Sequence, residues 1–120
     1  MNDHQSDVED MLPLPTAAFH ILLALSADDR HGYGIIQDVE VRTNGALRLS
    51  PGTLYRTIQR LLEQGLIDEP RRASGPRTDP RRRYYRITRF GDAVVRAETR
   101  RFTELARMAR GVLRTAPESS

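Results

Sequence analysis

Ser50-Pro51-Gly52-Thr53-Leu54-Tyr55-Arg56-Thr57-Ile58-Gln59-Arg60-Leu61-Leu62 carries the densest local structural signal in this chain. A serine hydroxyl can cap a helix, and proline suits the first helical position because its missing N–H costs nothing there. Gly65 suits the C-terminal stop. Leu54, Ile58, Leu61 and Leu62 fall at i, i+4, i+7 and i+8, which is one buried stripe. Gly52, Arg56, Gln59 and Glu63 then lie opposite, with Thr53, Tyr55 and Arg60 on the flanks. The spacing predicts a helix with an apolar face inside and a polar, arginine-bearing face outside.

Working outward, Leu66-Ile67-Asp68-Glu69 reads as a strand and Tyr84-Tyr85-Arg86-Ile87-Thr88 as its antiparallel partner, with Tyr85 and Ile87 on one face. Residues 70–83 between them hold three prolines, one glycine and no core former, so they predict a projecting loop. Thr88 is placed to cap a long last helix over Arg89–Leu113 that carries Phe90, Val94, Ala97, Leu105, Met108 and Val112.

Upstream, Ala17 to Leu25 predicts an almost wholly apolar helix, ended by the polar turn Ser26-Ala27-Asp28-Asp29-Arg30. His31-Gly32-Tyr33-Gly34 opens another, with Ile35, Ile36, Val39 and Val41 on its apolar side and Asn44-Gly45 as its stop. Two glycines flanking Tyr33 weaken a helix, so they point to a close helix contact at its start. Ala46-Leu47-Arg48-Leu49 alternates and reads as a short strand. Residues 1–12 are acidic and read as a flexible arm, since Met1 to Asp10 offers only Val8 for burial. Residues 13–88 then form one domain, 89–114 a separate helix and 115–120 a flexible tail.

The chain has 120 residues and a net charge of +3, but that total hides an asymmetry. Residues 1–70 carry 5 Arg against 11 acids, whereas residues 71–89 carry 8 Arg against Asp79 alone. Positive charge is therefore concentrated where a polyanion could use it. All 19 basic residues are Arg, a pattern that GC-rich codon usage accounts for. With no Cys, the composition excludes a disulfide framework and a thiolate metal site. His4, His20 and His31 have no paired ligand spacing, so no metal or cofactor is expected. No nucleophile elbow, phosphate-binding glycine loop or paired catalytic carboxylates are visible, and Asp28-Asp29 and Asp68-Glu69 read as solvated charges, so no enzyme is expected. No apolar run approaches the ~18–20 residues of a membrane span and the start is acidic, which predicts a cytoplasmic protein with no membrane partner.

The order helix, helix, short strand, helix, strand, basic loop, strand, helix is that of a winged helix-turn-helix: mainly α, with a small β-hairpin and one long C-terminal helix. In that design a recognition helix enters the major groove of double-stranded DNA while the wing grips backbone or minor groove. Arg56 and Arg60 are expected at guanine edges and Gln59 at adenine, with Ser50, Thr53 and Tyr55 at phosphates. Arg81, Arg82 and Arg83 would add counterion release, and Arg77 near the tip could enter a narrow minor groove. The alternative is a winged helix that contacts another protein. That version would more naturally expose an apolar patch where this chain places arginines.

At these residues the sequence resembles the PadR family of transcriptional regulators. The resemblance rests on His31-Gly32-Tyr33-Gly34, on Ser50-Pro51-Gly52-Thr53-Leu54-Tyr55 with the Leu61-Leu62-Glu63-Gln64-Gly65-Leu66-Ile67 ending, and on Arg83-Tyr84-Tyr85-Arg86-Ile87-Thr88 with Gly91. It implies a homodimeric, ligand-responsive repressor of the short subgroup, with Tyr55 at the DNA backbone and Tyr85 and Thr88 closing the wing. Arg56 stands where many relatives carry Pro. Phe90, Val94, Leu105, Met108 and Val112 also ask for a partner, because a lone domain offers them no surface. Phe19, Leu23, Phe90, Val94, Ala97 and Phe102 are candidates to line an effector cavity at the dimer seam for a small aromatic or apolar molecule.

Overall fold

A computed structural model describes residues 3–73 and 78–115. Its elements are α1 (Asp3–Asp10), α2 (Thr16–Ala27), β1 (Arg30–His31), α3 (Gly32–Arg42), α4 (Pro51–Glu63), β2 (Ile67–Asp68), β3 (Tyr84–Ile87) and α5 (Arg89–Thr115). The stretch from Ser50 folds as its residues dictate. Ser50 Oγ accepts from Thr53 N at 3.1 Å with Pro51 in the first turn, and Leu54, Ile58 and Leu61 are buried. At the other end Gly65 takes φ +74°. Leu66 N donates to Leu61 O and Gly65 N to Leu62 O, the paired bonds that satisfy a helix's last carbonyls.

Those three residues pack against Ile21, Leu22 and Leu25 of α2, Ile35 and Val39 of α3, Leu66 and Ile67 at the start of the wing, Tyr85 of β3, and Val94 and Val95 of α5. The sheet order is β1-β3-β2, antiparallel throughout, with Arg30 opposite Tyr85 and Ile67 opposite Ile87. Thr88 ties the last helix to the wing. Its N–H donates to Leu66 O and its hydroxyl to Gly65 O, while Gly91 N donates back to Thr88 Oγ1.

Several expectations need correction. Residues 3–10 form a helix instead of a flexible arm. Val8, Met11 and Leu12 stand at i, i+3 and i+4, and α1 lies on α5 with Val8 buried. The acidic composition conceals that stripe, because its surface is supplied from the far end of the chain. Ala46–Leu49 is not a strand. Leu49 is buried and Leu47 packs on the core, but Leu47 N donates to Thr43 Oγ1 and both edges of β3 are already taken. The third strand comes from Arg30–His31, the last residue of the expected polar turn and the first of the expected next helix. Val41 is exposed and outside the core. Asp29 is largely buried and paired with Arg86 at 2.8 Å, so it joins β3 to the turn before β1 and is not a solvated charge. Val94 is fully buried within the chain's own core, which removes it from any seam or cavity wall. The tail from Ala116 lies outside the described residues.

Candidate nucleic-acid interface

The cap at Ser50 and the stripe of Leu54, Ile58 and Leu61 fix the roll of α4, so Gly52, Tyr55, Arg56, Gln59, Arg60 and Glu63 are exposed. Ser50 itself is committed to the cap, donating also to Thr53 Oγ1 at 3.1 Å, and Thr53 is half-buried. What remains for base edges is Arg56 and Gln59 on the outer face. The two flanks differ. Arg60 faces the segment from Asp10 to Pro15, whereas Tyr55 faces α3 and the wing.

Tyr55 stands over Gly32, and this explains the glycine before Tyr33. A Cβ at Gly32 would sit 2.9 Å from Tyr55 Cζ and closer still to its hydroxyl. The close approach opens a hollow of about 460 Å³ bounded by His31, Gly32, Tyr33, Tyr55, Arg82, Arg83 and Tyr85. Three tyrosines, of which Tyr33 and Tyr55 are exposed, and two guanidinium groups thus border one concavity between α4 and the root of the wing, a donor-rich surface for phosphate oxygens. Tyr33 and His31 were not among the residues expected from sequence at the interface. Their signal was the Gly-Tyr-Gly spacing, which marks a close contact without saying what is contacted.

His31 is held as a neutral acceptor. Its Nδ1 accepts from Gly34 N at 3.0 Å, capping α3, and its ring meets Tyr84 edge-on. Burial, helped by the nearby Arg82 charge and opposed by Asp79, lowers its pKa, consistent with an imidazole whose Nδ1 must keep a lone pair.

The wing arginines are less free than their number suggests. Arg81 and Arg82 lie on Asp79 at 3.3 and 3.9 Å, and Arg83 pairs with Glu69. Hydrogen bonds from Arg81, through backbone and then side chain, hold the Asp79 carboxyl below its ordinary value, so it stays ionised. Tyr84 Oη accepts from Asp79 N at 2.6 Å, which pins the base of the loop. Arg71 and Arg72 are exposed beside these groups and extend the basic surface. Arg77 falls among residues 74–77, outside the described residues.

The second group of expected residues separates as well. Phe19 and Phe102 meet edge-on at 5.0 Å, and Leu23, Phe90 and Ala97 are partly buried against the core. Leu23 borders a hollow of about 380 Å³ between α2 and α5, lined mainly by polar side chains such as Ser26, Asp92 and Thr99. Beyond Phe102 the last helix leaves the body, and Leu105, Met108, Val112 and Leu113 are exposed at 41, 61, 61 and 71%.

The model of the transcriptional regulator PadR-like family matches residues 21–97, which run from the middle of α2 through α3, α4 and the wing into the first turns of α5. This chain belongs to the PadR-like family of transcriptional regulators. Transcriptional regulator Rv3488 of Mycobacterium tuberculosis is 36% identical to this PadR-like chain over 92 residues, covering 77% of this chain and 80% of that protein. Among solved structures, H. salinarum RosR superposes with a TM-score of 0.61 at 25% identity, covering 79% of this chain and 80% of that one. A PadR family transcription regulator from Clostridium difficile superposes at 0.66 and 21% identity, covering 82% and 99% of the two chains, and speaks for the shared fold. Family and fold together make this PadR-like protein a DNA-binding winged-helix regulator. Among the described residues no helix is long and apolar enough to cross a membrane.

Proposed function

We propose that this PadR-like protein is a homodimeric, effector-responsive repressor. Its α4 reads the major groove through Arg56 and Gln59, and its Tyr55 hollow and wing grip the flanking backbone. The carrying observation is the far half of α5. That helix is about 40 Å long at 1.5 Å per residue, and its last turns carry the exposed stripe of Phe102, Leu105, Met108 and Val112. Apolar side chains in helical register on a projecting helix lose free energy in water that a twofold contact recovers for both copies at once. The same contact would hold two α4 helices at a fixed separation on a palindromic site. An effector that shifts this seam would change that separation, and the partly buried Phe19, Leu23, Phe90 and Ala97, with the exposed Phe102 edge-on to Phe19, are the candidates to receive it. The reading also expects a cytoplasmic protein that binds no cofactor beyond the effector.

Light scattering combined with anisotropy on a duplex from upstream of the gene tests this. The wild type should be a dimer at micromolar concentration and bind that duplex in preference to a scrambled one. The double variant Leu105→Asp, Met108→Asp should be monomeric and lose most of that preference. A monomeric wild type, or a variant that still dimerises and binds, would refute the reading.

A further inference from the structure

The flank of α4 turned away from the wing borders a groove of about 410 Å³, a volume in the range of small-molecule sites. Its other wall is the segment from Asp10 to Pro15 with Ala18 of α2. Arg56 and Arg60, about one helical turn apart, both stand on it. Among the described residues neither guanidinium group has a hydrogen bond or ion pair of its own. Met11, Leu14, Ala18 and Leu61 line the groove with them, and among the described residues no aromatic side chain does. DNA needs the guanidinium groups but has no use for an aliphatic floor under them.

The wall is built from inside. Leu14 N donates to Glu98 Oε2 at 2.7 Å, and the Glu98 carboxylate is fully buried and bonded to Arg101 at 2.5 and 3.1 Å. A buried charge thus fixes the far side of the groove at the height of α4, which preorganises it for a ligand.

We propose that the groove binds a medium-chain aliphatic carboxylate, its head on Arg56 and Arg60 and its chain on the Met11–Leu14 wall, and that this ligand competes with DNA. Two positive charges opposed by Asp10 leave one to match a single carboxylate. An aliphatic floor suits a flexible chain better than a ring, which would ask for stacking partners. The competition rests on the proposed reading of α4 as the helix that enters the major groove, because Arg56 would serve both occupants. The groove shares no lining residue with the exposed stripe of α5 on which the proposed seam rests.

The test titrates the full chain with octanoate, and with 1-octanol as the uncharged counterpart, followed by calorimetry and 1H–15N correlation spectra. Octanoate should bind saturably and shift the amides of Met11, Leu14, Thr57 and Gln64. Octanol should bind at least tenfold more weakly, and Arg60→Gln should weaken octanoate at least tenfold with an unchanged circular dichroism spectrum, as its exposed position allows. Octanoate should also raise the apparent Kd for the upstream duplex competitively. Absence of saturable shifts, equal binding of octanol, shifts confined to α5, or a duplex indifferent to bound octanoate would each overturn the proposal. The titration is run on free protein, so a chain that bound no duplex would count against the operator reading while the octanoate result still decided the groove.

Discussion

Gly91→Ala should destabilise this protein although it places a better helix former in a helix. Gly91 sits in the first turn of α5, where an added Cβ would lie 2.9 Å from Ile87 Cγ1, 3.0 Å from Leu66 C and well inside contact with Leu66 O. The obstruction is backbone, so α5 must move away from the turn that ends α4. That movement strains the bonds from Thr88 N to Leu66 O and from Thr88 Oγ1 to Gly65 O. Each is worth about 1 kcal/mol, overpacking adds ~1–3 kcal/mol, and the alanine returns at most about 1 kcal/mol. A net loss of roughly 2–4 kcal/mol follows, a fall in Tm of about 8–15 °C for a chain of this size. Gly111, in the same helix with open space around its Cβ position, is the internal control, and Gly111→Ala should be neutral or stabilising by up to about 1 kcal/mol. Thermal and urea unfolding followed by circular dichroism at one protein concentration, since association would shift Tm, decides the matter. Equal stability of the two variants would refute the reasoning that α5 is seated by contact at Gly91.

Glu98→Gln should cost about 1–3 kcal/mol at neutral pH. The Arg101 hydrogen bond, with the Leu14 N–H and against the penalty of burial, holds the Glu98 carboxyl below its ordinary value, so its stabilisation is present above the unfolded-state pKa and lost as pH falls through the folded one. Urea unfolding across the acid range should accordingly show wild type and variant converging at low pH. Gly32→Ala should displace the tip of Tyr55, which is the movable end of an exposed side chain, and weaken duplex binding about tenfold with little change in Tm, the loss of roughly one phosphate contact. Glu69→Gln should release Arg83 and raise affinity for operator and scrambled duplexes alike, with a salt slope steeper by about 1 in anisotropy titrations.

The parts of the fold readable from residue order were those whose causes lie within a few residues. Ser50 and Pro51 start α4, Gly65 ends it, and Thr88 caps α5, each through bonds closed over one turn. Helix faces followed for the same reason, since the spacing of Leu54, Ile58 and Leu61 fixes which side is buried. The arginine surplus of the wing was visible too, but its pairing was not, because the acid that holds Arg83 lies across the loop at Glu69 and the one that holds Arg86 lies on the turn before β1.

Local chemistry therefore decided that a capped, amphipathic recognition helix precedes a basic hairpin and a long helix, and the ordered motifs along it carried the PadR-like family. Three-dimensional packing decided everything that needs a partner from elsewhere in the chain. Arg30–His31 is a strand only because β3 offers an open edge, and residues 3–10 are helical on the body because α5 lies beneath Val8. Val94 is core rather than seam because α5 lies against α2. Arg60 faces a groove because Glu98, 84 residues beyond Leu14, holds the opposite wall. Hydrogen bonds between neighbours leave a signature in spacing, whereas burial and pairing across the chain depend on surfaces that exist only once the other elements are in place.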